Sequence, residues 1–212
     1  MVLTDKEIRK MSSENLDKPL ISDFDEHSLQ SESYDLKIGK QVYVLKNDYM
    51  VIDLAGDVDE SEVYETVNIG LDGYTLKPKQ YILASVTEKI TLPDNITAHI
   101  RPRTRLTRIG LIVSAQHCNS TYSGELKIGI YNASDFVIKI PKYQKIAQIV
   151  FEELKGKPSD EKLYINKKDA AYKNEKAFVG YKADEFNAAY DEVIKNLMSD
   201  NTLENIRTKE IV

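Results

Sequence analysis

Four arginines crowd into one short segment of a chain whose formal net charge is −5. The segment runs from Ile100 to Gly110 and contains Arg101, Arg103, Arg105 and Arg108, with Thr104 and Thr107 between them. Guanidinium groups bind phosphate oxygens through paired hydrogen bonds, and neighbouring hydroxyls add donors, so the segment predicts a polyphosphate site. A solvated charged face, or a set of interface salt bridges, is the alternative, and composition alone makes it at least as good an interpretation.

The arginine segment lies inside a long stretch of strand signals that runs from Tyr34 to about Leu154. Short runs rich in β-branched and aromatic residues are separated there by Gly, Pro, Asn or Asp, without an intervening helical pattern. This arrangement predicts an all-β barrel or sandwich. Ahead of it, Thr4 and Glu7 have the spacing of a capping box, which predicts a short N-terminal helix.

The strand rhythm ends after Leu154. Residues 155–183 are rich in lysine and predict an arm with one or two short ordered pieces. Apolar residues then recur at three and four positions, as on an amphipathic helix. These residues are Phe186, Tyr190, Val193, Ile194 and Leu197. We therefore expect a β domain over 1–154, an arm over 155–183 and a helical tail over 184–212.

Charge and cysteine content exclude several classes of protein. The acidic balance argues against broad contact with nucleic acid or anionic lipid, and no long apolar run predicts a membrane span. The single Cys118 forms no intrachain disulfide and supplies no thiolate pair for a structural zinc site. We expect a cytoplasmic protein that binds neither nucleic acid nor membranes.

The segment LPDNITAHIRPRTRLTRIGLIV, residues 92–113, resembles the motif LPxxxxAxxxGRSSLxRxGL of dCTP deaminases and dUTPases. Four other blocks agree in order. VLTDKEIRKM resembles the dCTP deaminase N-terminus, SYDLKIG (33–39) the first motif, TYSGELKIGIYN (121–132) the third and YQKIAQIVF (143–151) the fourth. The resemblance covers most of residues 1–151. The segment before SYDL is more like a dCTP deaminase, and Tyr122-Ser-Gly-Glu is more like a dUTPase.

The resemblance implies a distorted jelly-roll β-barrel that assembles as a homotrimer, with each site built from more than one subunit. It implies a pyrimidine deoxynucleoside triphosphate as ligand, with Mg²⁺ bound to its phosphates. A dUTPase hydrolyses dUTP to dUMP and pyrophosphate with water activated by an Asp. A dCTP deaminase converts dCTP to dUTP with water activated by a Glu and without zinc. The motif pair of the zinc deaminases is absent from this sequence, so that chemistry is excluded.

In the arginine segment, the resemblance carries the two family arginines onto Arg103 and Arg108, and Thr104 keeps the hydroxyl of the first serine. Pro102 replaces the glycine and Arg105 replaces the second serine. We therefore expect Arg103, Thr104, Arg105 and Arg108 to bind phosphate in an altered geometry.

Four further positions carry supporting roles. Asp35 of the SYDL block would orient a neighbouring strand or a water-bound metal, or is simply a buried structural carboxylate. Gln148 of the fourth block supports the site. Tyr122 falls where dUTPases pack a tyrosine on the deoxyribose, with an ordinary core tyrosine as the alternative. Phe178 resembles the phenylalanine of the arm that closes over the base, or it pins the arm to the barrel.

The catalytic bases of the family are both replaced. The dUTPase Asp falls on Asn119, an amide that accepts no proton at neutral pH, and the deaminase Glu falls on Gly129. His117 and Glu125 are the nearest substitutes, although each has an ordinary structural interpretation. Two hypotheses stay open: a pyrimidine deoxynucleoside triphosphate hydrolase or deaminase, and a catalytically impaired member that binds a nucleotide or another protein.

Overall fold

The computed structural model describes residues 1–15, 17–46, 51–52, 54, 56–168, 170–175, 177–183 and 192–196. The helices are α1 (Asp5–Ser13), α2 (Glu60–Val63) and α3 (Thr104–Thr107), with single 3-10 turns at Glu26–Ser28 and Asp160–Lys162. The strands are β1 (Tyr34–Leu45), β2 (Tyr64–Asn68), β3 (Tyr74–Leu76), β4 (Tyr81–Thr91), β5 (Ile96–Pro102), β6 (Leu111–Val113), β7 (Gln116–Cys118), β8 (Ser123–Asn132), β9 (Ile138–Ile140) and β10 (Lys145–Glu153).

One curled antiparallel sheet forms most of the fold, in the order β6-β8-β4-β1-β10-β5-β7, with β2 added to β1. A small second sheet pairs β3 with β9. β1 joins the two halves of the large sheet, because its first residues pair with β10 and its later residues pair with β4 and β2. At the bend, a Cβ on Gly39 would lie 2.7 Å from Oγ of Ser85, so only glycine permits this approach. The predicted all-β class is confirmed.

Alternation along the strands builds the core. In β4 and β8 every second side chain is buried over much of the strand, and the largest fully buried residues are isoleucines, leucines and two aromatics. They include Tyr34, Leu36, Ile38, Ile82, Ile90, Ile100, Ile128 and Phe151. Each such side chain contributes about 1.5 to 3 kcal/mol by leaving water, so this core stabilises the curled sheet.

The N-terminal helix begins as predicted. The backbone N–H of Thr4 donates to the Glu7 carboxylate at 2.8 Å, and this contact lowers the pKa of Glu7. Ile8 is fully buried and joins the helix to the core. The capping box is a local signal, so it is readable from sequence alone.

The described residues fall into two compact units: Met1–Lys46 with Tyr64–Phe178, and Asn47–Val63 with Val179–Val212. In the first unit, the N–H of Asn174 donates to the Ser123 carbonyl, and the N–H of Glu125 donates to the Glu175 carbonyl. Asn174 and Glu175 of the arm therefore lie alongside the start of β8. The predicted boundaries at 154 and 183 stay predictions.

In the second unit, a Lys182 to Asp57 ion pair at 3.0 Å and a backbone hydrogen bond from Val58 to Tyr181 join its two segments. The predicted tail helix lies mostly outside the described residues, as do Phe186, Tyr190 and Leu197. Residues 192–196, which include Val193 and Ile194, are helical.

Candidate functional site

Asp35 on β1 is the centre of a charged cluster. Its side chain is 1% exposed, and its Oδ2 lies 3.2 Å from Nη2 of Arg103 and 3.5 Å from Nζ of Lys145. Nε2 of Gln30 donates to the same oxygen at 3.1 Å. A buried carboxylate needs opposite charge and hydrogen-bond donors nearby, and here it has both. Asp35 consequently fixes two cationic groups at one place on the barrel.

Strand register places Asp35 in line with residues of β10 and β5. Asp35 pairs with Gln148 across β1 and β10, and Gln148 pairs with Arg101 across β10 and β5. Residues directly opposite in an antiparallel sheet point to the same face, so these three form one row. Nη1 of Arg103 also donates to the Lys145 carbonyl at 3.3 Å, which holds the end of β5 against the start of β10.

The second oxygen of Asp35, Oδ1, is buried and accepts no hydrogen bond from the described part of the chain. Buried polar atoms in proteins are almost always paired with protein groups, water or ligands. The side chains of Arg103 and Lys145 keep 20% and 28% of their surface exposed, so both can still contact an anion from solvent. The cluster thus combines a buried anchor with two accessible cations.

The rest of the arginine segment lies on the surface. α3 is a single turn that begins after Arg103, and Thr104, Arg105 and Arg108 on or next to this turn are exposed. The structure therefore brings Arg103 together with Asp35 and Gln148. The phosphate-binding roles of the exposed residues stay predictions.

The three candidate bases lie in different environments. Asn119 is exposed just after β7. His117 on β7 faces His99 on β5, with 3.5 Å between their Nδ1 atoms. Glu125 on β8 lies opposite Lys89 on β4. None of these contacts includes Asp35, so within one chain the described geometry links no candidate base directly to the charged cluster.

Gly129 lies where the resemblance places the deaminase carboxylate. A Cβ at this position would lie 2.5 Å from Oη of Tyr81 and 3.1 Å from Oγ of Ser114. The backbone N–H of Gly129 already donates to that serine oxygen at 2.9 Å. The position has no carboxylate, and the Tyr81 hydroxyl lies where a side chain would begin, so a larger residue here would require Tyr81 to move.

Tyr122 and Phe178 pack against their own chain. Tyr122 is 7% exposed beneath Tyr164, and burial raises its pKa. The Phe178 ring stacks on Tyr43 with 4.1 Å between centroids and meets Tyr64 edge-on at 5.1 Å. Tyr122 therefore packs as a core tyrosine, and Phe178 holds the arm against Tyr43 and Tyr64. Their sugar and base contacts stay predictions.

A second buried charge cluster escaped the sequence analysis. The Glu88 side chain is fully buried, its Oε2 accepts the N–H of Lys37 at 3.1 Å, and Nζ of Lys37 lies 3.8 Å from its Oε1. Nζ of Lys37 also donates to Asp25 at 3.1 Å, and that contact lowers the pKa of Asp25. Burial raises the pKa of Glu88 and raises that of Tyr34 to about 12. Like the Asp35 cluster, this cluster sets a buried carboxylate against the ammonium group of a lysine.

Sequence reasoning also missed Lys145 and Gln30. Lys145 precedes the apolar run of the fourth block, and Gln30 precedes the SYDL block. The register of those two blocks was the missing signal, because it pairs Asp35 with Gln148 and Lys37 with Lys145 and so places the start of β10 close to Asp35.

Comparison with known proteins identifies the fold and the family. The dCTP deaminase-like family model matches residues 2–154. A dUMP-forming dCTP deaminase of Sulfurihydrogenibium sp. is 33% identical over 168 residues, which is 79% of this chain and 91% of that protein. A dCTP deaminase of Thermococcus kodakarensis is 31% identical over 156 residues, covering 74% and 85% of the two chains.

Among solved structures, the 2′-deoxycytidine 5′-triphosphate deaminase of Agrobacterium tumefaciens superimposes with a TM-score of 0.59 at 19% identity. The match covers 72% of this chain and 48% of that one, so this chain spans about half the length of that protein. The curled sheet is therefore the jelly roll of the dUTPase and dCTP deaminase class. The chain itself belongs to the dCTP deaminase-like family.

No helix within the described ranges is long and apolar enough to cross a membrane.

Proposed function

We propose that this protein binds a pyrimidine deoxynucleoside triphosphate and slowly hydrolyses dUTP to dUMP and pyrophosphate. The observation that carries the proposal is the pair of partly exposed cations, Arg103 and Lys145, fixed on the buried carboxylate of Asp35. Arginine and lysine recognise phosphate through charge-assisted hydrogen bonds, and anchored side chains lose little entropy on binding. The activities named for the relatives support a pyrimidine deoxynucleotide as the ligand.

Mg²⁺ fits this proposal as an ion that arrives on the phosphates. Within the described residues no group of three or more His, Cys, Asp or Glu side chains is arranged to hold a metal ion. The Asp35 carboxylate already faces two cations, which disfavours direct binding of a third. Mg²⁺ is commonly held through substrate phosphates and water. Oδ1 of Asp35, which has no hydrogen-bond partner among the described residues, could accept a hydrogen bond from such a water.

Deamination is disfavoured at Gly129. A carboxylate that activates water there would have to displace the Tyr81 hydroxyl, which lies 2.5 Å from the position of a Cβ. A general base typically contributes about 10² to 10⁴-fold to a rate, so its absence leaves the deamination step without a main contribution. Hydrolysis at the phosphates needs no group at this position.

The second candidate function is nucleotide binding without turnover, as a binding or protein-interaction module. Asn119 favours it, since an amide replaces the Asp that the resemblance places there. In both functions the charged cluster around Asp35 would bind the phosphates. Only measured turnover separates them.

We also propose a homotrimer in which neighbouring copies complete each site. The contacts of Tyr122 and Phe178 with their own chain support this, because among the described residues these two rings are already packed, and a neighbouring copy would then supply the surface for the sugar and base. Light scattering should give three times the 24.2 kDa chain mass at micromolar concentration. A stable monomer would contradict shared sites.

The function is tested by titrating the protein with dUTP and dCTP in the presence of Mg²⁺, with calorimetry for binding and separate assays for pyrophosphate release and ultraviolet absorbance. Arg103→Ala should weaken binding by roughly 1.5 to 3 kcal/mol, which is typical of hydrogen bonds to charged groups. Arg9→Ala is the matched control, because Arg9 pairs with Glu26 at the surface. Equal binding by the wild type and both variants would show that the cluster is structural. Binding without pyrophosphate release would favour the second candidate.

A further inference from the structure

Two histidines face each other across the strands β5 and β7. His99 and His117 are direct partners in this antiparallel pairing, and their ring centroids are 4.9 Å apart. The two Nδ1 atoms point toward each other at 3.5 Å. His117 is exposed and the His99 side chain is 27% exposed, so solvent reaches the space between the rings.

This spacing matches two ligands of one metal ion. Imidazole nitrogens bind Zn²⁺ at about 2.0 to 2.1 Å, and at that bond length the observed separation of 3.5 Å corresponds to an N–Zn–N angle of roughly 113 to 122°. The ideal tetrahedral angle is about 109°, so only a small adjustment of the rings is required. We propose that His99 and His117 form a binding site for a divalent transition metal ion of the Zn²⁺ type.

Glu152 supplies the outer contact that such sites use. Its Oε1 lies 3.9 Å from Nε2 of His99, on the side of the ring opposite to Nδ1. A metal-binding histidine usually donates its other N–H to a carboxylate, which fixes the tautomer and the ring orientation. A small shift brings Glu152 into hydrogen-bond range, and it then acts as a positioning residue.

The remaining metal positions are open. The site has two protein ligands, in keeping with the lack of any three-residue metal cluster in the described part of the chain. Cys118 is the next residue after His117, but it is buried on the opposite face of β7 and does not face the two imidazoles. Cys118 is therefore not a ligand, and water or an exogenous ligand completes the coordination. Imidazole without thiolate favours Zn²⁺, Cu²⁺ or Ni²⁺ over Mg²⁺.

A bound ion would cross-link an edge strand. β7 is the last strand of the large sheet and has three residues, and its end leads directly to the loop of Asn119. Metal binding would hold this strand and the start of the loop on β5, and it would stabilise the fold by mass action. This site is independent of the nucleotide proposal.

The test is calorimetric titration of the full chain with Zn²⁺, and separately with Mg²⁺, at neutral pH. We expect one Zn²⁺ per chain, a higher melting temperature with Zn²⁺, and no such effect of Mg²⁺. His99→Gln and His117→Gln should each weaken Zn²⁺ binding by more than the roughly 10 to 100-fold that loss of an outer contact costs. Glu152→Gln should weaken it by about 10-fold. His27→Gln is the matched control, since His27 is the third histidine of the chain and is also exposed.

Absence of Zn²⁺ binding by the wild type would overturn the proposal and leave the pair as a hydrogen bond between two imidazoles. Binding that survives in both His99→Gln and His117→Gln would overturn it as well, as would an equal loss in His27→Gln. Co²⁺ provides a check that needs no variant, because its visible absorption reports nitrogen ligands directly in the wild type. A spectrum identical to that of hydrated Co²⁺ would contradict the site.

Discussion

Replacement of Asp35 by asparagine separates the structural role of the charged cluster from its role in binding. Asp35→Asn keeps the shape of the side chain and an oxygen that can accept the hydrogen bond from Gln30, but it removes the negative charge that faces Arg103 and Lys145. Loss of one partner of a fully buried ion pair costs about 3 to 5 kcal/mol. Both cations are partly exposed and solvent compensates in part, so we expect the free energy of unfolding to fall by about 2 to 3 kcal/mol.

The same substitution should act differently on nucleotide binding. With the carboxylate charge removed, Arg103 and Lys145 are no longer neutralised, so the affinity for a triphosphate should hold or rise. Arg103→Ala should instead lower both the stability and the affinity, because it removes a partner of Asp35 and a phosphate ligand together. A loss of affinity in Arg103→Ala without a loss in Asp35→Asn, although the two side chains approach to 3.2 Å, is a result that general destabilisation does not produce.

Urea denaturation at pH 7 measures the stability, and calorimetric titration with dUTP and Mg²⁺ measures the affinity. The double variant gives the coupling energy of Asp35 and Arg103, which should be about 1 to 2 kcal/mol for residues in one network. A loss of stability below about 0.5 kcal/mol in Asp35→Asn would refute the counter-ion argument, since that is the range of ordinary surface substitutions. A loss of affinity as large as that of Arg103→Ala would show that Asp35 contacts the ligand itself.

Three further predictions concern single positions. Gly129→Ala should lower the free energy of unfolding, measured by urea denaturation, by about 1 kcal/mol through overpacking. Adding Tyr81→Phe should recover part of that loss, because it removes the hydroxyl oxygen that lies 2.5 Å from the new Cβ. No recovery would show that the strain lies elsewhere. Burial raises the pKa of Glu88 above its ordinary value of 4.5, so its protonation stabilises the fold fully below pH 4.5 and this contribution is lost as the pH rises through the folded pKa. Glu88→Gln, which can still accept the N–H of Lys37, should flatten that decline in a denaturation series across pH, and an unchanged profile would mean that Glu88 stays ionised. Asn119→Asp should increase pyrophosphate release from dUTP with little change in affinity, because the two side chains have similar size and other residues hold the phosphates; an unchanged rate would move the catalytic loop away from Asn119.

Much of the framework follows from the sequence alone, since its causes are local. The capping box of Thr4 and Glu7 needs only neighbouring residues, and the helix begins where it predicts. The alternating pattern of β4 and β10 predicts strands in both places. Where the local pattern is weak, the sequence does not show individual strands. β2 (Tyr64–Asn68) and β7 (Gln116–Cys118) have no clear strand signal of their own, because polar residues and short length hide strands that only their partners stabilise.

The residues of the charged cluster show the same division. Sequence identified Asp35, Arg103 and Gln148 through their motifs, but it gave no sign that Lys145 shares the carboxylate. That contact depends on the register of β1 with β10, whose residues are more than a hundred positions apart in the chain. Likewise, nothing local to Gly129 indicates that Tyr81 fills its space, and nothing local to His117 indicates that His99 faces it. Strand pairing over long sequence separations decides these contacts, because side chains on one face meet only after the register is set.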